Sequence, residues 1–258
     1  MDARTPFERE LKRRGIAFEA EPGTGRYIIE RDGVRLFVSL ENLERDLARD
    51  GDVDRVSRFV DVVEASWGSF DAKPSADRLY WVLEPNHYEA CQQADYRAPL
   101  SDRVDRVLAY TDESGRMITW AHPGTLKTLD LTEDQAGERA FANLARTLED
   151  AEVGVQEVGD VRLGYLGTTL PFKAALILAP NLREIVGPAL GWPLLGVAPD
   201  RDFLYLWDAS REDFAPRLGG VVVREYTTAA YPISTEVWEL SDEGVRAIGE
   251  FPIPPADG

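Results

Sequence analysis

The chain is short of the residues that most often carry chemistry: it has one cysteine, two histidines and two methionines among 258 residues. A lone Cys91 excludes an internal disulfide and any zinc site built on cysteines, and it agrees with a reducing compartment. His87 and His122 stand 35 positions apart, with no HExxH and no Cys/His cluster, so no zinc signature is present. A GxSxG elbow and a Walker sequence are both missing. Gly23-Thr24-Gly25 lacks the third glycine and preceding strand of a dinucleotide fingerprint and reads as a loop. No stretch approaches the ~20 apolar residues that cross a bilayer, and the opening MDARTPFERELKRRG has no signal-peptide core. The expectation is a soluble cytoplasmic protein with no cofactor and no metal.

Positive charge is scarce too. Twenty-nine basic residues face 46 acids, for a net charge of −17. Residues 1–129 carry 24 acids and 19 bases, hence −5; residues 130–258 carry 22 and 10, hence −12. Such a field repels phosphate backbones and anionic lipid, which disfavours nucleic acid and membrane surfaces and admits a basic protein partner. Arginine outnumbers lysine 25 to 4, the usage of a GC-rich bacterial genome. Hydrophobic content of 44% with 29% charged residues describes a globular chain. At this length about three quarters of the unfolded surface can be buried, so folding needs no metal or disulfide.

Periodicity then divides the chain. Phe7 and Leu11 begin a helix ended by Gly15, with Arg9, Lys12, Arg13 and Arg14 on a solvated face. Asp32-Gly33 between two apolar runs signals a hairpin, because both turn residues tolerate positive φ. Ser39 caps a brief helix with Leu40, Leu43 and Leu47, and Val53, Val56, Phe59, Val60 and Val63 mark a second. Residues 67–76 read as a loop and 79–83 as a buried strand. Residues 86–102 are the least patterned part, a surface excursion carrying His87 and a surface Cys91. A hairpin over 104–120 follows, then a capping box at Thr132 and Gln135 that opens the clearest helix, with Phe141, Leu144, Ala145 and Leu148. Another hairpin turns on Gly159-Asp160, and 172–179 and 182–190 read as helical. Strands over 194–197 and 203–207 flank a turn. Ser210 is placed to cap a helix bearing Phe214, Leu218, Val221 and Val222; the competing reading is a strand over 221–226. A last hairpin closes the chain.

The fold class is α+β: mixed or antiparallel sheets built from hairpins, with packed amphipathic helices. Two organisations fit, one large domain or two halves, 1–130 and 131–258. A short echo between residues 76–83 and 200–207 suggests similar halves, though chance explains so short a match equally well.

Asp200 and Asp202 are the acidic pair with chemical potential. On an extended strand they would share a face, with Arg201 on the other, and could hold a cation or act as acid and base. The plainer reading, preferred here, is a turn-to-strand junction where Asp200 bonds local backbone and Asp202 pairs with an arginine. Arg201, Tyr205 and Trp207 are the candidate binding residues, the two aromatics reading equally as core. Cys91 and His87, four apart, would share a helix face; an unrelated neighbourhood is preferred.

Three segments carry a resemblance: residues 138–151 with Asn143-Leu144, residues 193–209 with Val197-Ala-Pro-Asp-Arg-Asp202, and residues 229–251 with Pro232-Ile-Ser234. Together they resemble the bacterial family of unknown function typified by YtpQ. The alanine between Val197 and Pro199 departs from that pattern, residues 34–63 match more weakly, and 67–101 match poorly. The resemblance spans about two thirds of the chain. It implies an α+β cytoplasmic bacterial protein and brings no catalytic residues with it. The functional expectation is a non-catalytic binding protein acting through its acidic carboxy-terminal half. The alternatives are a metal-dependent or carboxylate-based hydrolase using Asp200 and Asp202, or a small-molecule sensor. Oligomeric state is not legible.

Overall fold

A computed structural model describes residues 3–20, 26–31, 34–40, 43–44, 47, 51–69, 73–113, 115, 118–229 and 231–254, side chains excepted at a few positions. The chain divides into two units, residues 1–73 and 74–258.

In the first unit, α1 (Arg4–Arg13) is followed by β1 (Ala17–Ala20), β2 (Arg26–Arg31), β3 (Val34–Ser39) and α2 (Asp54–Ser69). The strands form an antiparallel sheet in the order β1-β2-β3. Arg31 pairs with Val34 as a hairpin requires, while the turn at Asp32-Gly33 lies outside the described residues. So do Gly23-Thr24-Gly25 and much of the brief helix placed after Ser39. Phe7 and Leu11 from α1 meet Tyr27, Ile29, Val56, Val60 and Val63 in one core, the result of apolar spacing at i, i+4 and i+7. Gly15 takes φ +70° after α1, the conformation a side chain resists. The basic cluster is not simply solvated. Arg14 donates to Glu10 at 2.7 Å and to Glu64 of α2 at 2.6 Å, so it ties the two helices together.

The second unit holds two sheets. The smaller contains β4 (Leu79–Pro85), β5 (Arg97–Pro99), β6 (Val104–Thr111) and β7 (Ile118–Trp120), in the order β4-β6-β5 with β7 also on β6. Helices α3 (Glu89–Gln92), α4 (Pro123–Leu129) and α5 (Glu133–Glu149) accompany it. The larger contains β8 (Glu152–Val158), β9 (Val161–Gly167), β10 (Leu194–Asp200), β11 (Phe203–Asp208), β12 (Glu236–Ser241) and β13 (Gly244–Glu250), in the order β13-β12-β10-β11-β9-β8. It carries α6 (Leu182–Leu190) and α7 (Ala215–Thr228). Every described strand pair is antiparallel, so the fold is α+β.

Alternation along β10, β11 and β12 sends side chains to two cores. Leu194, Leu204, Leu206 and Trp238 join Val82, Leu144 and Val186 on one face; Leu195, Val197, Trp207 and Val237 join Phe214, Leu218 and Val222 on the other. Burial on both faces explains why these strands read as continuous apolar runs. The helix at 215–228 prevails over a strand because Phe214, Leu218 and Val222 are buried at helical spacing. Its cap differs from expectation: Asp208, not Ser210, accepts the capping bond, from Ser210 N–H at 2.7 Å, and opens a 3-10 turn before α7. The capping box at Thr132 and Gln135 is present in full.

The break anticipated at residue 130 falls inside the second unit, between α4 and α5. The two sides cannot part there, because α5 is fastened across β4. Trp81 Nε1 donates to the Gly137 carbonyl at 3.1 Å, and Asn143 Nδ2 to the carbonyls of Ala76 and Leu79, each at 2.8 Å. The echoing strands are not equivalent either: β4 is an edge strand of its sheet and β11 a central one.

Candidate functional site

Asp200 ends β10, and residues 201–202 form the turn into β11, so the two aspartates do not share an extended face. That corrects the arrangement on which a cation site or acid–base pair was drawn. Asp200 is spent locally: its carboxylate accepts from the Asp202 N–H at 2.7 Å, closing an Asx turn. Burial pushes the Asp202 carboxyl up, while the Arg201 charge pulls it down. Among the described residues no arginine pairs with Asp202, whose Oδ1 is enclosed without a hydrogen-bond partner, as is Arg201 Nε. Arg201 is held by its backbone, donating to the Tyr231 carbonyl and accepting from Ala174 N–H, both at 3.0 Å, and its guanidinium lies 3.8 Å from the Tyr231 ring centre. The two motifs of the resemblance meet at this corner, where Ile233 and Ser234 N–H donate to the Pro199 and Ala198 carbonyls.

The candidate aromatics point elsewhere. Trp207 is 0% exposed and packs on Phe214 inside the core, closed to any ligand. Tyr205 donates its hydroxyl to Glu225 at 2.8 Å, and burial pushes its phenol up. His122 caps α4, its Nδ1 accepting from Gly124 N–H at 3.1 Å. Among the described residues no three His, Cys, Asp or Glu side chains gather as metal ligands.

A more enclosed polar cluster lies on the small sheet. Along β4, Tyr80, Val82 and Glu84 alternate onto one face, and Glu84 stands directly opposite Asp105 of β6. Like charges in that position repel. Asp105 is 5% exposed and has its own cation, Arg97 Nη1 at 2.8 Å. Among the described residues no cation lies within bonding distance of Glu84. Burial lifts its pKa to about 7, against the opposing pull of the Arg201 charge and a hydrogen bond from the Trp120 side chain.

Cys91 belongs to this cluster. It is fully buried and not a surface residue, and burial with the charges of Asp105 and Glu84 pushes its thiol up to about 11. It is therefore protonated at neutral pH and no nucleophile. Exposed His87 and buried Cys91 share no working face. In front of the cluster, Asn86, His87, Gln92, Arg97, Pro99 and Asp105 line an open cleft of about 870 Å³. Asn86 Nδ2 donates to the Asp102 carbonyl at 2.8 Å, and Gln92 Nε2 to the Asn86 carbonyl at 3.2 Å, which fixes the rim. The region without periodicity thus supplies most of the cleft. Glu84, next to last in β4, is not among the residues that line the cleft.

The charge asymmetry also takes shape here. Glu133, Asp134, Glu138, Glu149, Asp150, Glu152 and Glu157, on α5, β8 and their junction, are all exposed, with only Arg139 and Arg146 exposed among them. None of the seven pairs with a cation among the described residues. Comparison with protein-family models, with curated proteins and with solved structures finds no match.

Proposed function

We propose that the protein works by recognition, binding a basic protein partner through its acidic carboxy-terminal part, and carries no reaction of its own. The supporting observation is the row of seven exposed acids on α5, β8 and their junction, none of them ion-paired among the described residues. Asp134 and Glu138 are neighbours one turn apart on α5, and Glu149 falls on the same side about three turns further on. A concentrated field of one sign steers a partner of opposite charge and sets its association rate. The alternative that gave Asp200 and Asp202 acid–base roles loses its geometry to the Asx turn. No helix among the described residues is long and apolar enough to cross a membrane. A single, buried thiol suits the reducing cytoplasm, where we place the protein; the YtpQ-like resemblance fits the same compartment.

The test is a binding titration with a short oligo-arginine peptide. Wild-type protein is expected to bind it with strong salt dependence, and the triple charge reversal Asp134→Lys, Glu138→Lys, Glu149→Lys to weaken it by about tenfold or more, roughly 1.4 kcal/mol. These are solvent positions, so the variant is expected to unfold within about 0.5 kcal/mol of wild type. Equal affinity in the two proteins would remove the acidic row as the recognition surface.

A further inference from the structure

We infer that the outer edge of β8 takes up an extended basic segment of the partner as an added strand. This rests on the proposed partner and goes beyond it by naming the contact and its mode. A strand at the rim of a sheet leaves alternate N–H and C=O groups unpaired, and folded proteins cover, shorten or disrupt such rims. Among the described residues, the other rim strands of the second unit are treated in this way. The flank of β4 is met by Asn143, which donates to the Leu79 carbonyl. β5 and β7 are only three residues long. β13 bulges at Ile248, which is skipped between the pairs Val237–Gly249 and Trp238–Ala247. β8 has none of these devices. Its seven residues pair with β9 without a break, contain no proline, and stand at the end of the six-stranded order.

Val158 and Val161 flank the two-residue turn and bond each other. By the period of two, Val153, Val155 and Glu157 then aim their N–H and C=O groups away from β9. Among the described residues no backbone group of another element bonds to them. What guards this rim is charge of one sign. Glu152 and Glu157 lie on β8, Glu149 and Asp150 just before it, and the strand has no base. Arg162, opposite Glu157 on β9, makes no ion pair with it among the described residues. Such a rim repels a second copy, whose β8 would bring the same acids, and admits a strand carrying arginine or lysine. Tyr165 of β9 completes the fit. It stands opposite Gly154 and lays its ring across the glycine so closely that a side chain there would collide with it, yet the ring is 41% exposed. A guest residue alongside Gly154 therefore meets an aromatic face, which suits a guanidinium. On the opposite face Val155 is exposed and offers apolar contact to the alternate guest residues.

The probe is a peptide of alternating arginine and valine, seven residues long to match β8, beside a version N-methylated at every residue. The methylated peptide keeps each charge and loses each backbone donor. Both are titrated into wild type, the triple charge reversal and Val155→Pro, with exchange of the β8 backbone amides followed by NMR. Wild type is expected to bind the plain peptide about tenfold tighter than the methylated one. When it is bound, the amides of Val153, Val155 and Glu157 are expected to exchange about tenfold more slowly. Val155→Pro removes one outward donor and no bond to β9, so it is expected to narrow the preference for the plain peptide. The comparison of the two peptides on wild type decides the matter even if that variant fails to fold. Equal affinity for both peptides, with those amides exchanging as before, overturns the added strand and leaves the acidic row in place. A preference for the plain peptide that the triple reversal leaves at full affinity supports the strand and removes the row on α5. Protection of the same amides by raised protein concentration, without peptide, gives the edge to a second copy and overturns the basic occupant. No binding by either peptide overturns both readings.

Discussion

Replacing Asn143 with alanine is expected to cost about 2–4 kcal/mol of stability. β4 is the edge strand of the small sheet, so one side of its backbone has no neighbouring strand. Asn143 stands in for that strand by donating to Ala76 and Leu79 at 2.8 Å each, from a position 1% exposed to solvent. Truncation strips the enclosed Leu79 carbonyl of its donor, at about 1–3 kcal/mol, and leaves a small cavity besides, whereas the Ala76 carbonyl still accepts from the Leu79 N–H. Urea unfolding followed by tryptophan fluorescence measures the loss as a lower midpoint at unchanged slope. A cost under about 1 kcal/mol would mean that water reaches these carbonyls. The residue singled out by the resemblance is thus a fastening between helix and strand.

The opposite sign is expected at Glu84. Glu84→Gln should stabilise the protein by about 2–3 kcal/mol at pH 8, because the near-isosteric amide bears no charge to desolvate. The folded carboxyl titrates at about 7 against an ordinary 4.5. Between those values the folded state keeps a proton that the unfolded chain has released. This group's contribution to stability is therefore greatest below about pH 4.5, falls as pH rises, and is fully lost above about 7. Wild type should lose stability across that window relative to Glu84→Gln, and the two curves should run parallel above it.

Much of the fold was legible because its signals are local. The capping box at Thr132, the turn at Gly159-Asp160 and the spacing of Val56, Val60 and Val63 each depend on residues a few positions apart. The division of the chain was not legible. Whether α5 separates two halves or rivets them depends on where the indole of Trp81 and the amide of Asn143 find their carbonyls, and no periodicity reports that. The same holds for the site. The pair Asp200 and Asp202 drew attention through its spacing, yet a turn consumed it. Glu84 directly follows the apolar run 79–83 and gave no signal, because its surroundings, Asp105, Trp120 and Arg201, are brought together only by the folded sheets. Cys91 misled for a related reason: a polar, irregular segment suggested the surface, and the thiol is sealed behind the cleft.

The most direct measurement is the titration of the oligo-arginine peptide into wild type and into the triple reversal Asp134→Lys, Glu138→Lys, Glu149→Lys at low and high salt. Binding that falls by about tenfold or more in the reversal, and that weakens steeply with salt in wild type, is the expected result. Equal affinity in the two proteins, or binding indifferent to salt, would contradict recognition through the acidic row.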